Sequence, residues 1–263
     1  MSRGLSGVSF TLSTREEARD QTNIKNISTL DKHVNVCLLQ AVPTMGLGFS
    51  GEIKELWEAS SSGDATKLRP LAEKLGTKAK VINSRNPKSD DQTALHAACE
   101  KNQPRCVKIL AQCMAVDVNQ VDKLGRTAAF IACAKGNIDC LKELTTSQAR
   151  CDINICDKDG SSPLWAAACA GHIDIVKLLT QLPGIDVNKE SSYGLLSAKE
   201  KKATAKNKTP LYCAAANGHT EVVNLLAAHP KIDINKKTWD GRTPMAAANK
   251  EEIKKILRDK GGK

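Results

Sequence analysis

Aromatic side chains are scarce in this chain: Phe, Trp and Tyr make up 3% of its 263 residues, whereas hydrophobic residues of all kinds make up 41%. A core with so few large rings must consist mainly of Ala, Leu, Val, Ile and Cys, which favours closely packed helices. No apolar run is long enough to cross a bilayer as a helix. The sequence therefore predicts a soluble, mainly helical protein with no membrane-spanning segment.

The sequence also lacks the apolar stretch that would follow a secretory start, although it contains ten cysteines. Thiols in a reducing compartment rarely form structural disulfides. We therefore predict an intracellular protein, cytoplasmic or nuclear, without a disulfide framework. The first fifteen residues contain no acid and several serines, which faintly resembles a transit peptide, but Glu16, Glu17 and Asp20 follow at once and favour a disordered tail.

The formal net charge is +10, and the excess is unevenly distributed along the chain. Residues 89–188 carry 10 basic and 12 acidic side chains, whereas residues 189–263 carry 16 basic and 8 acidic ones. A strongly basic region attracts acidic surfaces or nucleic acid. The sequence thus predicts a partner with an acidic surface that binds toward the C-terminal third of the chain.

One pattern occurs five times, beginning at Thr93, Thr127, Ser162, Thr209 and Thr243. These starts are 34, 35, 47 and 34 residues apart, a spacing typical of repeat proteins that form solenoids. Thr or Ser at each start is a helix N-cap, and in three units Pro follows at the first helical position. A Gly then favours the end of the first helix, and an acid such as Asp174 opens the second. Each unit is therefore predicted to form two short helices.

A turn of one geometry is predicted before every repeat start. Two residues ahead of each start stands a residue type that tolerates a positive φ angle: Asp91, Gly125, Gly160, Asn207 and Gly241. The segment before that turn reads VDVN, CDIN, IDVN or IDIN, which indicates an extended connection. Connection and turn together lead from one helix pair to the next.

This chain resembles the ankyrin repeat family. The residues that carry the resemblance are Thr-Pro-Leu at 209–211, Gly-His at 218–219, Val-Val-x-Leu-Leu at 222–226 and Asp-Val-Asn at 186–188, with their counterparts in the other units. The resemblance implies an all-α ankyrin repeat solenoid of stacked helix-turn-helix units, here five clear repeats and a degenerate N-terminal one that starts near Leu56. We assign residues 51–263 to this repeat domain.

Residues 1–50 are predicted to form an N-terminal extension that is partly disordered. Within it, apolar residues recur at helical spacing before Pro43, so that a helix near residues 29–42 would cap the first repeat. These residues are Leu30, Val34, Cys37, Leu38 and Ala41. A strand or a disordered segment is the alternative interpretation.

The 47-residue interval holds 13 more residues than a regular unit, and they lie in one connection. We call the hairpin between the Asn of one connection and the Thr or Ser that starts the next unit a finger. In three fingers these two residues are eight positions apart, but Asn188 and Thr209 are 21 apart, which places an insertion around residues 190–206. Three interpretations stay open: a solvated insertion, a loop that contacts an acidic protein surface, and a nuclear-import or nucleic-acid patch.

The resemblance implies that a partner binds the finger tips and the exposed ends of the first helices, on the concave side of the solenoid. On the fingers the matching positions are Lys123, Leu124, Arg126, Lys158, Asp159, Ser161, Lys237, Trp239, Asp240 and Arg242. On the first-helix ends they are Glu100, Lys101, Lys135 and Asn217, and the insertion adds Tyr193, Leu195 and Leu196. Trp239 is the preferred anchor, because aromatic residues dominate binding energy at interfaces.

No group of residues in the sequence suggests catalysis. The resemblance implies that His96, His172 and His219 tie neighbouring repeats together. Cys151 and Cys156 form a pair, but a zinc site needs four ligands and no second pair offers itself. Phosphate-binding loops and nucleophile–base pairs do not stand out either. We predict no catalytic, cofactor or metal site and no enzymatic activity.

These patterns together predict a non-catalytic protein–protein interaction module or scaffold that is monomeric and makes no membrane contact. Its expected partner is a protein with an acidic surface, bound by the concave face and the basic C-terminal end. Association with nucleic acid or a ribonucleoprotein through the basic insertion and the last repeat is the alternative. Binding that falls steeply with salt would mark that alternative.

Overall fold

The computed structural model describes residues 51–146, 150–191 and 207–263, which form short α-helices arranged mostly in pairs. In chain order these helices are α1 (Glu52–Ser62), α2 (Ala65–Leu75), α3 (Ala79–Ile82), α4 (Ala94–Glu100), α5 (Pro104–Gln112), α6 (Ala128–Lys135), α7 (Ile138–Thr146), α8 (Pro163–Ala170), α9 (Ile173–Thr180), α10 (Pro210–Ala216), α11 (Thr220–Ala227), α12 (Pro244–Ala247) and α13 (Glu251–Asp259). None of these helices has the length and apolarity needed to cross a membrane. The predicted extension at 1–50, with its helix near 29–42, lies outside the described residues.

The first helix of each clear repeat begins at the predicted cap. Each capping side chain accepts a hydrogen bond from the backbone N–H three residues later, at Thr93, Thr127, Ser162, Thr209 and Thr243. Such caps satisfy N–H groups that have no partner within the helix. The predicted turn is confirmed at all five positions, with φ angles of 57° at Asp91 and 80° at Gly125 and positive values at the other three.

The helix pairs stack into two layers. The first helices α1, α4, α6, α8, α10 and α12 pack in that order, and α2, α5, α7, α9, α11 and α13 form the second layer. A continuous hydrophobic cluster of Ala, Leu, Val, Ile and Cys side chains lies between the layers. Cys99, Cys133, Ala168 and Ala215 occupy one position in four units and are fully buried, which lets the first helices approach closely. The predicted all-α solenoid with a core of small and aliphatic residues is confirmed.

The first and last units depart from the regular pattern. Helix α1 begins at Glu52, earlier than the predicted start near Leu56. Ser60 is fully buried in α1, and its hydroxyl donates to the carbonyl of Leu56 at 2.7 Å, so a serine is accommodated in the core. In the last unit, α12 has four residues, about a turn fewer than its counterparts, and the buried residues of α13 are Ile253 and Leu257.

Asparagine side chains join the connection of each unit to that of the next. Asn119 donates from Nδ2 to the carbonyl of Arg150 at 2.7 Å, and its Oδ1 accepts the N–H of Asp152 at 2.8 Å. The same pair of bonds recurs at Asn83, Asn154, Asn188 and Asn235. The segments predicted only as extended connections are therefore also the rungs of a hydrogen-bonded ladder along the solenoid.

Candidate functional site

The fingers lie side by side and are hydrogen-bonded to one another. The N–H of Lys123 donates to the carbonyl of Asp90 at 2.7 Å, and the N–H of Lys158 donates to the carbonyl of Leu124 at 3.0 Å. Each bond joins the tips of two consecutive fingers. The tips of these three fingers thus form one continuous edge beside the first helices.

An acid at the base of each of two regular fingers fixes the shape of the tip. Asp122 Oδ1 accepts the N–H groups of Leu124 at 2.8 Å and Arg126 at 2.9 Å. Arg126 in turn donates from Nε to Asp122 Oδ2 at 2.8 Å. Asp157 accepts the equivalent backbone bonds in the next finger. Tips held in this way lose little conformational entropy when a ligand binds.

The long finger, residues 189–208, keeps the base of a regular finger. The N–H of Ser191 donates to the carbonyl of Lys208 at 3.0 Å, just as the N–H of Asp122 donates to the carbonyl of Arg126 at 3.0 Å. Asn207 has a φ angle of 70°, in the same positive range as Gly125, Gly160 and Gly241 before other repeat starts. The described residues on either side of the insertion therefore pair as in a regular finger, and α10 begins at its regular position.

A concave hollow of about 330 Å³ lies between the first fingers and the first helices. Its lining residues are Trp57, Ser89, Asp90, Gln92, Ala97, Glu100, Lys101, Arg126, Ile131 and Lys135. The structure thus brings four predicted site residues, Glu100, Lys101, Arg126 and Lys135, into one place. Trp57, Asp90 and Ile131 also line this hollow, but the sequence analysis did not predict them as site residues. Aligning Gly63 with Gly136 would have placed Trp57 in the column of His96 and Phe130, next to this face.

A larger hollow of about 450 Å³ lies on the opposite side, between the second helices α5 and α7. Its charged groups are already engaged. Lys108 Nζ lies 3.8 Å from Glu143 Oε2, and the Arg150 guanidinium donates to four backbone carbonyls between residues 111 and 116. Because these charged groups already have partners within the protein, the smaller concave hollow is the better candidate for a binding site.

The remaining predicted contact residues are distributed along the solenoid. Lys123, Leu124, Lys158, Lys237, Trp239, Asp240 and Arg242 are exposed on the fingers, and Asp159 is half-buried. Trp239 is 73% exposed, which fits an anchor on a tip. Asn217 lies at the end of α10, where its side chain also donates to the carbonyl of Cys169 at 2.8 Å. Tyr193, Leu195 and Leu196 lie outside the described residues.

Two predicted contact residues have internal roles instead. Ser161 is 3% exposed, and its hydroxyl lies 2.8 Å from the hydroxyl of Ser191, so it joins two fingers and does not face a partner. The Arg126 guanidinium binds Asp122, with Nη2 at 2.7 Å from Oδ2. It therefore helps to close its own finger, and only part of its side chain faces the hollow.

The basic end of the solenoid contains cations that already have partners. Lys236 Nζ lies 3.0 Å from Glu190 Oε1 and joins the last finger to the long finger. Arg242 Nε lies 3.1 Å from Asp240 Oδ2, and Lys208 lies over the Tyr212 ring at 5.8 Å from its centre. Each of the two ion pairs cancels one charge of either sign, so the net excess of basic residues at this end is unchanged.

The histidines and cysteines act within the scaffold. His172 Nε2 lies 3.3 Å from the carbonyl of Ala134, and His219 Nε2 lies 3.0 Å from that of Cys169, so each ring ties two repeats together. The nine cysteines among the described residues are free thiols, and burial raises the pKa of Cys133. No cluster of three or more His, Cys, Asp or Glu side chains able to hold a metal occurs in the described part of the chain.

Comparisons with known proteins agree with this architecture. A family model for ankyrin repeats (3 copies) matches residues 56–155, 112–191 and 193–263. The SMC5-SMC6 complex localization factor protein 1 of Mus musculus is 31% identical over 100 residues, which cover 35% of this chain and 10% of that protein. The crystal structure of the ankyrin repeat domain of Bcl-3, a member of the IkappaB protein family, is similar with a TM-score of 0.66. It is 22% identical, with 80% of this chain and 86% of that chain covered, and at that identity the likeness shows the fold alone.

Proposed function

Because the chain belongs to the ankyrin repeat family, whose repeats are general protein–protein interaction modules, we propose that it is a non-catalytic scaffold that binds a protein on its concave face. The observation that carries this proposal is the concave hollow between the fingers and the first helices. A preformed concave surface with a partly apolar floor and a charged rim is what a protein ligand recognises.

The composition of the hollow supports a protein ligand. Trp57, Ala97 and Ile131 supply apolar floor, whereas Lys101 and Lys135 supply cations at the ends of α4 and α6. Interfaces commonly combine a small apolar centre with a polar rim in this way. The basic C-terminal end, with the exposed Trp239, is proposed as a second contact region that favours an acidic surface.

Photo-crosslinking from defined positions tests which face binds. A photoreactive amino acid would replace Lys101 or Lys135 on the concave rim, and Lys108 or Lys142 on the second helices as matched controls. In nuclease-treated cell extract we expect protein adducts from the two concave positions and few from the controls. Equal labelling from both faces would contradict the proposal. Adducts that are present only without nuclease would favour the nucleic-acid alternative.

A further inference from the structure

The last finger, residues 236–242, carries an exposed aromatic side chain at its tip. Trp239 is 73% exposed, and it is the one exposed aromatic residue in the part of the chain that the structure describes. The other two tryptophans differ, since Trp57 is half-buried and Trp165 is buried. A single exposed apolar residue is common on protein surfaces. The rigidity and the charge of the surrounding finger therefore have to indicate whether Trp239 meets a ligand.

Hydrogen bonds hold the tip of the last finger in one shape. The N–H of Gly241 donates to the carbonyl of Thr238 at 2.9 Å, which closes a four-residue turn with Trp239 at its first corner. The N–H of Arg242 donates to the Thr238 hydroxyl at 3.1 Å, and that hydroxyl also donates to Asp240 Oδ1. Thr238 itself is buried. The indole is thus presented on a fixed turn, and little backbone entropy is lost when a ligand packs against it.

The last finger is the most positively charged of the four regular fingers. The side chains of residues 84–92, 120–126, 155–161 and 236–242 have net charges of 0, +1, −1 and +2, respectively. The excess in the last finger comes from Lys236, Lys237 and Arg242 against Asp240. Residues 207–263 as a whole carry 11 basic and 6 acidic side chains. A positive field therefore surrounds Trp239, and it attracts an anionic ligand.

Three cations close to Trp239 are able to contact such a ligand. Lys237 is exposed and forms no ion pair within the described residues. Arg242 Nε lies 3.1 Å from Asp240 Oδ2, but the Arg242 side chain is 66% exposed and its guanidinium has further N–H donors. Arg242 also contacts the hydroxyl of Tyr212, and Lys208 lies over the Tyr212 ring at 5.8 Å from its centre. The cations thus extend from the last finger to the base of the long finger.

We propose that the last finger binds single-stranded nucleic acid, with one base stacked on Trp239 and the neighbouring phosphates beside Lys237, Arg242 and Lys208. Proteins that bind single strands combine cations along the backbone with aromatic side chains on which bases stack. This inference specifies the acidic ligand of the second contact region proposed above at the basic C-terminal end. It does not depend on the concave hollow.

A single strand fits this surface better than an acidic protein segment or a duplex. Each nucleotide supplies a phosphate and a flat base together, which match the cations and the indole face. The carboxylates of an acidic segment would pair with the cations but would leave the indole without a flat partner. In a duplex the faces of the bases are stacked on one another and cannot reach a side chain unless a base is flipped out.

Fluorescence anisotropy with a labelled oligothymidylate of twelve nucleotides tests the stacking contact. Stacking on an aromatic side chain contributes at least about fivefold to affinity, so Trp239→Ala should weaken binding at least about fivefold. Trp239→Phe should retain most of the affinity. The matched control is Leu124→Ala, which truncates another exposed apolar side chain on a finger tip. Its affinity should stay within about twofold, because surface changes outside a site have small effects.

The salt dependence of the same binding tests the phosphate contacts. The logarithm of the affinity falls with the logarithm of the salt concentration by about 0.7 for each phosphate contacted on a single strand. Three contacts therefore predict a slope of about −2. Lys237→Gln should make this slope shallower by about 0.7. Lys123→Gln removes the same charge from another finger and should leave the slope unchanged.

Several outcomes would overturn the inference. Unchanged affinity in Trp239→Ala would remove the stacking contact, and equal affinity for a hairpin duplex would remove the preference for a single strand. Tighter binding of a twelve-residue oligoglutamate than of the oligothymidylate would assign this end to an acidic protein surface. If the oligothymidylate does not bind while photo-crosslinks still join a protein to Lys101 or Lys135, the nucleic-acid site is wrong and concave-face protein binding stands.

Discussion

His96 is 1% exposed, and hydrogen bonds fix its protonation state. Nε2 lies 2.9 Å from the carbonyl of Arg126, and Nδ1 lies 3.2 Å from the backbone N of Thr93 and 2.7 Å from its Oγ1. A carbonyl can only accept, so Nε2 carries the proton and Nδ1 accepts. A second proton would remove that acceptor and charge a buried ring, and burial accordingly lowers the pKa of His96.

This lowered pKa predicts a loss of stability in acid. In the unfolded chain the ring binds a proton near its ordinary pKa of about 6.5, whereas the folded protein binds it only at lower pH. The contribution of His96 to stability is therefore complete above about pH 6.5 and is lost as the pH falls from there through the folded pKa. It amounts to about 1.4 kcal/mol for each unit of lowering.

Urea unfolding between pH 7.5 and 5 would measure this loss in the wild type and in His96→Phe. Phe130 occupies the same position in the next repeat, so phenylalanine suits the site and removes its titration. We expect the free energy of unfolding to fall less steeply with acid in the variant. Identical slopes would show that other groups dominate the acid response.

Gly136 combines a positive φ angle with a close contact to the next repeat. Its φ is 81°, and a methyl group added there would lie 2.8 Å from Cε1 of His172, whose ring is bonded to the Ala134 carbonyl. Gly184 has nearly the same φ, 80°, with no atom within 4 Å of the added methyl. Comparing alanine substitutions at Gly136 and Gly184 therefore separates the cost of backbone strain from the cost of lost packing between repeats.

We expect Gly184→Ala to lower the free energy of unfolding by about 1 kcal/mol, the cost of a left-handed backbone at alanine. Gly136→Ala should cost at least about 1 kcal/mol more, because the His172 ring must move. Equilibrium denaturation of the two variants gives the difference directly. Equal losses would mean that the ring moves aside without cost.

At the scale of the element, helix caps and turns were predicted correctly from the sequence, because they depend on the chemistry of neighbouring residues in the chain. The N-cap at Thr127 and the positive φ at Gly125 follow from residue type and position alone, and both are present. The contacts that the sequence did not predict are made between residues of different repeats. Ser161 was predicted as a contact residue from its place on a finger, yet the hydroxyl of Ser191 from the long finger covers it. The role of Trp57 in the hollow likewise depends on a degenerate repeat that the pattern matched poorly.

The long finger allows a deletion that restores a regular element. Removal of residues 192–204 would leave Ala205, Lys206 and Asn207 between Ser191 and Lys208. That is the length of a regular tip, with Asn207 already at the position that needs positive φ. Because the cost of closing a loop grows only slowly with its length, we expect the free energy of unfolding to stay the same or rise by about 1 kcal/mol.

Urea denaturation of this deletion variant measures the change in the free energy of unfolding. Unchanged stability would show that the neighbouring helices do not depend on the insertion. A loss of more than about 2 kcal/mol would contradict the assignment of the 13 extra residues to the turn. In that case the inserted residues would have to support the neighbouring helices.

At the scale of the whole molecule, stability is distributed along one axis. The asparagine ladder, the histidine ties and the two helix layers all join a unit to its immediate neighbours. Solenoids built in this way have stabilities that approximate a sum over units and adjacent interfaces. The position of a unit along the axis should therefore decide how far a local defect spreads.

Leu179 in α9 and Leu257 in α13 test this directly, since both side chains are fully buried. Truncation of either to alanine removes the same atoms and costs about 2–5 kcal/mol locally. The unit that contains Leu179 has neighbours on both sides, so Leu179→Ala should lower hydrogen-exchange protection in the repeats on either side of it. Leu257→Ala should free mainly α12 and α13, because among the described helices these two pack only on α10 and α11 and on each other. Hydrogen exchange read by mass spectrometry gives both patterns. A uniform loss of protection in both variants would mean that the solenoid unfolds as a single unit, so that the concave hollow would be lost together with the last repeat.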